Sequence, residues 1–210
     1  NLHLYFSWAD ELATHPSLLD VVESIIGPDI LIYGSLVLSK LPKQLSHLSW
    51  HQDSFYLQGY NSEPFLTAWI ALTESTVENG CMSVIPSSHH NGILPHFPFS
   101  DEHNLLKNRG VEIKISPPKN QIRDIILNPG EISFHHGSLI HYSLPNKTDH
   151  KRTGFIVRFV TPQLKKAVKP VLRVRGNTEV KHLRVFKKKS YKSIQERVSA
   201  YLGGVLLDNY

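Results

Sequence analysis

Seven short apolar segments occupy the middle of the chain, and clusters of turn-forming residues separate them. The segments are residues 29–41, 64–73, 81–85, 111–115, 123–127, 131–134 and 152–161. The separating clusters are rich in Gly, Pro, Asn and Ser, which favour turns. Many short strands joined by turns favour a β-sandwich or barrel over an alternation of strands and helices. The pattern therefore predicts a mostly β fold.

Helical spacing of apolar residues is found near the two ends of the chain. One helix is predicted to begin with Ser7, which would form a capping box with Asp10. A second helix is predicted to begin at residues 16–17, with Asp20 in the capping-box position, and to end at Gly27. Near the other end, Tyr191, Ile194, Val198, Tyr201 and Val205 keep helical spacing. We expect these helices to flank the β core.

The charge of the chain is concentrated in its last fifty residues. Residues 1–160 hold 11 Lys and Arg against 15 Asp and Glu, whereas residues 161–210 hold 12 against 3. No aromatic stacking motif accompanies the basic run, so we interpret it as a solvated face. The alternative is a nucleic-acid-binding module with phosphate contacts from Lys165 to Lys192.

A chain of 210 residues usually forms a single domain. We expect a helical part at 1–28, a β core at 29–162 and a basic extension with a helix at 163–210. No apolar run reaches the roughly 18 residues that span a bilayer, so no membrane span is predicted. Cys81 is the only cysteine, which excludes an internal disulfide and favours a reducing, cytoplasmic location.

Two groups among the 13 histidines have the spacing of metal ligands. His51 and Asp53 are two residues apart, so in a strand both side chains would point to the same side. A later strand carries His135 and His136 near its end, with His141 following. His135 and His136 would point to opposite faces, so at most one of them could reach the site, and both are interpreted as supporting residues. Two imidazoles and one carboxylate suit non-haem Fe(II), while zinc bound by His135, His136 and His141 is the alternative.

Three stretches of the chain resemble the phytanoyl-CoA dioxygenase family of Fe(II)- and 2-oxoglutarate-dependent oxygenases. They are WHQDSFYLQG, AWIALTESTVENGCMSVIPSSH and LNPGEISFHHGSLIHYSLPNKTDHKRTGFIVRFV, and the resemblance covers residues 29–162. It implies a double-stranded β-helix, or jelly-roll, core of the cupin-like kind, in agreement with the strand pattern. It also implies Fe(II), 2-oxoglutarate and O₂ as the reactants that the protein binds.

The resemblance implies particular roles for the site residues. His51, Asp53 and His141 are expected to bind iron and to form the catalytic centre. Halogenases that resemble this family carry Ala or Gly at the carboxylate position, so Asp53 favours hydroxylation over halogenation.

The resemblance also implies a pocket for 2-oxoglutarate. Arg152 is expected to pair with the distal carboxylate, for which a guanidinium fork is suited, and Ser143 to hydrogen-bond it. Trp69 is expected to flank the cosubstrate and Leu36 to line the pocket. Arg158 is expected to be either a second cation there or a strand residue that faces water.

The expected reaction is hydroxylation of an unactivated C–H bond of a small organic substrate, with release of succinate and CO₂. Desaturation or cyclisation in a biosynthetic pathway is an alternative, and a non-catalytic β-barrel binding protein is a less favoured one. The substrate classes left open are an amino acid, an acyl thioester and a pathway intermediate. Residues expected to line the substrate pocket are Phe55, Tyr56, Gln58 and Tyr60. Phe97, Pro98 and Phe99 are expected either to close this pocket or to pack it.

Overall fold

The computed structural model describes residues 1–56, 65–165, 167 and 169–187. The helix predicted over residues 191–205 lies outside the described residues, and so do Gln58 and Tyr60. The organisation of residues 163–210 as one basic extension therefore stays a prediction.

In the described residues, two α-helices precede twelve strands. The helices are α1 (Ser7–Ala13) and α2 (Pro16–Ile26). The first six strands are β1 (Ile30–Lys40), β2 (Leu48–His51), β3 (Phe65–Ala71), β4 (Met82–Val84), β5 (Phe97–Pro98) and β6 (Val111–Glu112). The other six are β7 (Arg123–Ile125), β8 (Ile132–His136), β9 (His141–Ser143), β10 (Arg152–Val160), β11 (Val171–Arg175) and β12 (Val185–Lys187).

The strands form a larger and a smaller sheet, as expected for a jelly roll. The larger sheet has six strands in the order β12-β11-β1-β10-β3-β8, and the smaller has four in the order β2-β9-β4-β7. All pairs of the smaller sheet with a recorded register are antiparallel. Neighbouring strands of this sheet are far apart in the sequence, so residues distant along the chain become neighbours in space. The prediction of a mostly β fold is confirmed.

The chain divides into two compact units, each with its own buried residues. The first comprises residues 1–36, 62–67 and 157–210, as far as they are described. Within it, Arg175 of β11 binds Glu23 of α2 at 2.5 Å and Asp20 at 2.8 Å. The second unit comprises residues 37–61 and 68–156 and contains His51, Asp53, His141 and Arg152.

The predicted helix starts are correct, but the predicted capping boxes are wrong. Ser7 is the first helical residue of α1, and Phe6 precedes it as the cap without a side-chain hydrogen bond. Helix α2 begins at Pro16, whose fixed φ and missing N–H suit the first position of a helix. Gly27 ends α2 with a φ of 90°, as predicted. Among the described residues, no helix is long and apolar enough to cross a membrane.

Candidate metal centre

His51 and His141 meet because their strands are neighbours. His51 of β2 is directly opposite His141 of β9, and the centroids of the two rings are 4.0 Å apart. Asp53 follows two residues after His51. One potential ligand atom from each of the three side chains lies within 4.8 Å of the other two, and all three residues are buried. The structure thus brings together the predicted ligand set. Among the described residues, no other group of three or more His, Cys, Asp or Glu side chains has this geometry.

The route by which Asp53 reaches the site differs from the prediction. Strand β2 ends at His51, and Asp53 is the first residue of a 3₁₀ turn, Asp53–Tyr56. The two side chains therefore do not share a strand face, and the chain turns to bring the carboxylate to the imidazole. The Ser54 amide donates a 2.8 Å hydrogen bond to the Gly137 carbonyl, which holds this turn against the end of β8.

Gln52, between the two ligands, holds the surrounding loops. It is fully buried, and its amide nitrogen donates to the carbonyls of Gly92 at 2.8 Å and Ser138 at 2.7 Å. Its amide oxygen accepts a 2.8 Å hydrogen bond from the Leu94 amide. This role of Gln52 is not predictable from the sequence, because a single glutamine carries no pattern that indicates such contacts.

Main-chain carbonyls orient both imidazoles for metal binding. Nδ1 of His51 donates to the Ser49 carbonyl at 2.8 Å, and Nδ1 of His141 donates to the Leu139 carbonyl at 2.9 Å. A neutral imidazole that donates through Nδ1 keeps the lone pair of Nε2, which is the form that binds a metal. Burial, followed by the neighbouring His51 and His135, holds the pKa of His141 well below its usual value. The donor set and its orientation therefore fit a mid-row divalent metal such as Fe(II).

His135 is the histidine of the pair on β8 that reaches the centre. It is 6% exposed, its Nε2 lies 3.8 Å from Oδ2 of Asp53, and its ring centroid is 4.9 Å from that of His141. His136 points the other way, with its ring centroid 5.4 Å from that of His89. The expectation that at most one of the pair could reach the site is correct. The alternative zinc site of His135, His136 and His141 does not form.

Arg152, the first residue of β10, is a buried cation beside an aromatic ring. Its side chain is 1% exposed, and its guanidinium carbon lies 4.4 Å from the centroid of the Trp69 ring. Nε donates to the Ser75 hydroxyl at 3.3 Å, whereas Nη1 is buried with no hydrogen-bond partner among the described residues. Burial lowers the pKa of Arg152 to about 10, so the group stays charged at neutral pH. A buried guanidinium nitrogen without a partner suits a carboxylate ligand.

Gly154 makes room for the Trp69 ring. A Cβ on Gly154 would overlap the six-membered part of the Trp69 indole. Because Gly154 is two residues after Arg152 on the same strand, both face the same side. The Arg-x-Gly sequence thus places a cation and a space for an indole next to each other.

Lys40 is a buried residue beside Ser143 and Arg152 that no sequence pattern indicates. It is fully buried at the end of β1, and its Nζ donates to the Ser143 hydroxyl at 2.6 Å and to the Leu144 carbonyl. A longer hydrogen bond of 3.3 Å reaches the Gly80 carbonyl. Burial and then repulsion from Arg152 lower the pKa of Lys40 to about 7. Lys40, Ser143 and Arg152 thus form one polar cluster with net positive charge.

The Asn-Gly turn closes against this cluster. Gly80 has a φ of +78°, and a Cβ there would overlap the Leu144 carbonyl oxygen. Cys81 follows and is buried, and burial raises the pKa of its thiol to about 11. This thiol is therefore protonated at neutral pH and contributes no charge.

Leu36 and Arg158 belong to the first compact unit, whereas the metal centre belongs to the second. Both residues are half-buried. Their expected contacts with 2-oxoglutarate stay predictions.

Comparison with known proteins decides the family. The model of the phytanoyl-CoA dioxygenase (PhyH) family matches residues 3–154, which is most of the chain. The chain belongs to the phytanoyl-CoA dioxygenase family. A probable alpha-ketoglutarate-dependent hypophosphite dioxygenase of Stutzerimonas stutzeri is 26% identical over 163 residues, which are 76% of this chain and 55% of that protein. The peroxisomal phytanoyl-CoA dioxygenase of Homo sapiens is 29% identical over 153 residues, which are 70% of this chain and 44% of that protein. The chain spans about half the length of these curated relatives.

The match to a solved structure supports the fold. The non-heme monooxygenase ThoJ in its apo form is 32% identical and matches with a TM-score of 0.81 over 98% of this chain and 75% of that chain. The resemblance to the family and the jelly-roll fold class are thus confirmed. The predicted cofactors are confirmed at the level of the family, since relatives are named as alpha-ketoglutarate-dependent and the residues of this chain fit the metal.

Proposed function

We propose that this protein is a non-haem iron dioxygenase that uses 2-oxoglutarate to hydroxylate an unactivated C–H bond of a small organic substrate. The observation that carries the proposal is the buried group of His51, Asp53 and His141 in the same compact unit as Arg152. Arg152 is a buried cation with one nitrogen that has no hydrogen-bond partner in the described part of the chain. When bound, iron and 2-oxoglutarate activate O₂ and supply the oxidising power, with release of succinate and CO₂. The protein binds and orients the reactants and excludes water.

His51, Asp53 and His141 would hold the metal on one side. A metal held by these three side chains would keep positions for cosubstrate and O₂. Hydrogen bonds from the two imidazoles to main-chain carbonyls, and from the Gln52 side chain to the Ser138 carbonyl, fix the orientation of these side chains before metal binds. Because Asp53 supplies a carboxylate ligand, the position that a halide would need is filled, and we propose hydroxylation over halogenation.

Arg152 and Ser143 would hold the distal carboxylate of 2-oxoglutarate. Ser143 is two residues after His141 on β9, so both face the same side, about 7 Å apart along the strand. A five-carbon dicarboxylate can bridge such a distance from the metal to the serine. The Ser143 hydroxyl accepts its hydrogen bond from Lys40, which leaves its own O–H to donate to a carboxylate. The Trp69 ring would hold the guanidinium of Arg152 in place through a cation–π contact.

Aromatic side chains beside His51 would form one wall of the substrate site. The Tyr56 ring centroid is 6.1 Å from that of His51, and Phe55 stacks on His96 at 3.7 Å. The Tyr56 hydroxyl donates to the Val111 carbonyl at 2.9 Å, which fixes the ring. Burial raises the pKa of Tyr56, so this hydroxyl stays protonated. Such a wall suits a small, partly apolar organic molecule.

The substrate would be an amino acid, an acyl thioester or a pathway intermediate, with no nucleic acid involved. The protein with Fe(II), 2-oxoglutarate and O₂ is incubated with a panel of amino acids, acyl thioesters and phosphonates, and succinate and product masses are measured. We expect one class to accelerate succinate release and to gain one oxygen atom. Loss of two hydrogens instead would favour desaturation or cyclisation. Succinate release that the Asp53→Ala variant matches would overturn the proposal.

A further inference from the structure

The buried imidazole of His135 has two ring nitrogens that lack hydrogen-bond partners among the described residues. A neutral imidazole has one N–H donor and one acceptor, and leaving both unpaired in the interior is unfavourable. Native structures seldom keep such a group unless it serves a bound species or a functional contact. His135 lies beside the proposed metal centre and has no part in the ligand set.

The charged group next to His135 is the carboxylate of Asp53. Nε2 of His135 lies 3.8 Å from Oδ2 of Asp53, and both side chains are buried. This separation exceeds a hydrogen bond by about 1 Å, which a small rotation of the carboxylate can close.

Hydrogen bonds on both sides of Asp53 fix the position of its carboxylate relative to His135. The Ser54 amide donates to the Gly137 carbonyl at 2.8 Å, and the Gln52 side chain donates to the Ser138 carbonyl at 2.7 Å. The residues before and after Asp53 are thus tied to the segment that directly follows β8, where His135 lies. The relative position of the imidazole and the carboxylate is therefore built into the fold.

We propose that His135 is a positioning residue that donates a hydrogen bond from Nε2 to Oδ2 of Asp53 and so keeps Asp53 bound to the metal through one oxygen only. A carboxylate without such a donor can bind through both oxygens and occupy a second coordination position. Hydrogen-bond partners of ligating groups orient them and raise metal affinity. The inference rests on the metal centre of the proposed function and adds to it a residue outside the ligand set.

The test compares His135→Phe, which removes both nitrogens, with His135→Gln, whose amide can donate in place of Nε2. His136→Phe is the matched control, because its ring lies on the opposite face of the same strand. Fe(II) and Mn(II) affinities are measured anaerobically, and the number of metal-bound waters is obtained from water proton relaxation of the Mn(II)-loaded proteins. Thermal unfolding establishes that each variant is folded, and His135→Leu replaces His135→Phe if the latter does not fold.

We expect His135→Phe to weaken metal binding about 10- to 100-fold, the range found for such partners of metal ligands. It should also lose one metal-bound water, because the second Asp53 oxygen takes that position, whereas His135→Gln and His136→Phe should match the wild type. Equal metal affinity and equal water number in His135→Phe and the wild type would overturn the role of His135 and leave the proposed function standing. A wild-type protein that binds no metal would instead overturn the proposed function.

Discussion

Lys40 donates a 2.6 Å hydrogen bond to Ser143, a residue 103 positions later in the chain. Neither side chain is exposed, and Arg152 is close enough to depress the pKa of Lys40. A buried guanidinium and a buried amine next to a hydroxyl, with no described carboxylate in an ion pair with either of them, form a site that an anion would complete. The predictions on cosubstrate binding follow from this arrangement.

Lys40 should act on 2-oxoglutarate through Ser143. We expect Lys40→Met and Ser143→Ala each to weaken 2-oxoglutarate binding to the metal-loaded protein about tenfold, since each removes a hydrogen bond that involves a charged group. The double variant should be little weaker than either single variant, because contacting residues are not additive. Calorimetric titration with 2-oxoglutarate measures this coupling.

Lys43→Met is the matched control for Lys40→Met. Lys43 is three residues away and exposed, and it pairs with Asp149 at the surface. This variant should bind 2-oxoglutarate as the wild type does. Fully additive effects of Lys40→Met and Ser143→Ala would show that the lysine does not act through the serine.

The pKa of Lys40 should make stability depend on pH. Burial lowers the pKa of Lys40 in the folded protein to about 7 from its ordinary value of 10.5. Between these values the unfolded chain holds a proton that the folded protein lacks, so the free energy of unfolding rises with pH. Above pH 9 the Cys81 thiol, with its pKa raised to about 11, contributes in the opposite direction.

We therefore expect the unfolding free energy of the wild type to gain about 2 kcal/mol relative to Lys40→Met between pH 7 and pH 9. Urea unfolding of both proteins without metal or 2-oxoglutarate measures the difference. Arg152 also faces Lys40 but stays charged through this range, so it adds a constant repulsion. Parallel pH profiles for the two proteins would contradict the depressed pKa.

Arg152→Ala should raise the KM for 2-oxoglutarate by 100-fold or more and leave metal affinity within about twofold. The change removes charge-assisted hydrogen bonds to the cosubstrate and no metal ligand. Arg152→Lys should recover little, because an ammonium neither forms the bidentate fork nor stacks on Trp69 in the same way. Steady-state succinate release and a separate metal titration measure the two effects. An unchanged KM would refute the assignment.

Gly154→Ala should disturb the pocket of Arg152 indirectly, through the Trp69 ring. The added methyl group would overlap the Trp69 ring, and such overpacking costs about 1–3 kcal/mol of stability. Displacement of the indole would also release the Arg152 guanidinium, so we expect weaker 2-oxoglutarate binding with unchanged metal binding. Chemical unfolding and calorimetry measure the two quantities. Wild-type stability would show that the ring can move aside freely.

The sequence indicated the order of the ligands better than the way in which the chain presents them. The two-residue spacing of His51 and Asp53 predicts that both side chains lie on one face of a strand. In the structure, a strand end followed by a 3₁₀ turn brings them together. A two-residue spacing is compatible with both geometries. The turn depends on contacts from Gln52 to Gly92 and Ser138, which are distant in the sequence.

Buried polar residues were the other feature that local patterns could not reveal. Lysine is rarely fully buried, so composition and periodicity place Lys40 at the surface. Its burial follows from acceptors at Gly80, Ser143 and Leu144, which only the folded chain brings together. The orientation of His135 was limited to one of two faces by strand geometry, and the packing of β8 decides which face meets Asp53.

In the proposed function, His51, Asp53 and His141 hold one divalent metal to which 2-oxoglutarate binds. Anaerobic titration with Fe(II) followed by 2-oxoglutarate tests it directly, because 2-oxoglutarate bound to Fe(II) gives a weak visible charge-transfer band. We expect one iron per chain and a band that Asp53→Ala and His141→Ala both lack. No band in the wild type, with the same metal content in the wild type and both variants, would contradict it.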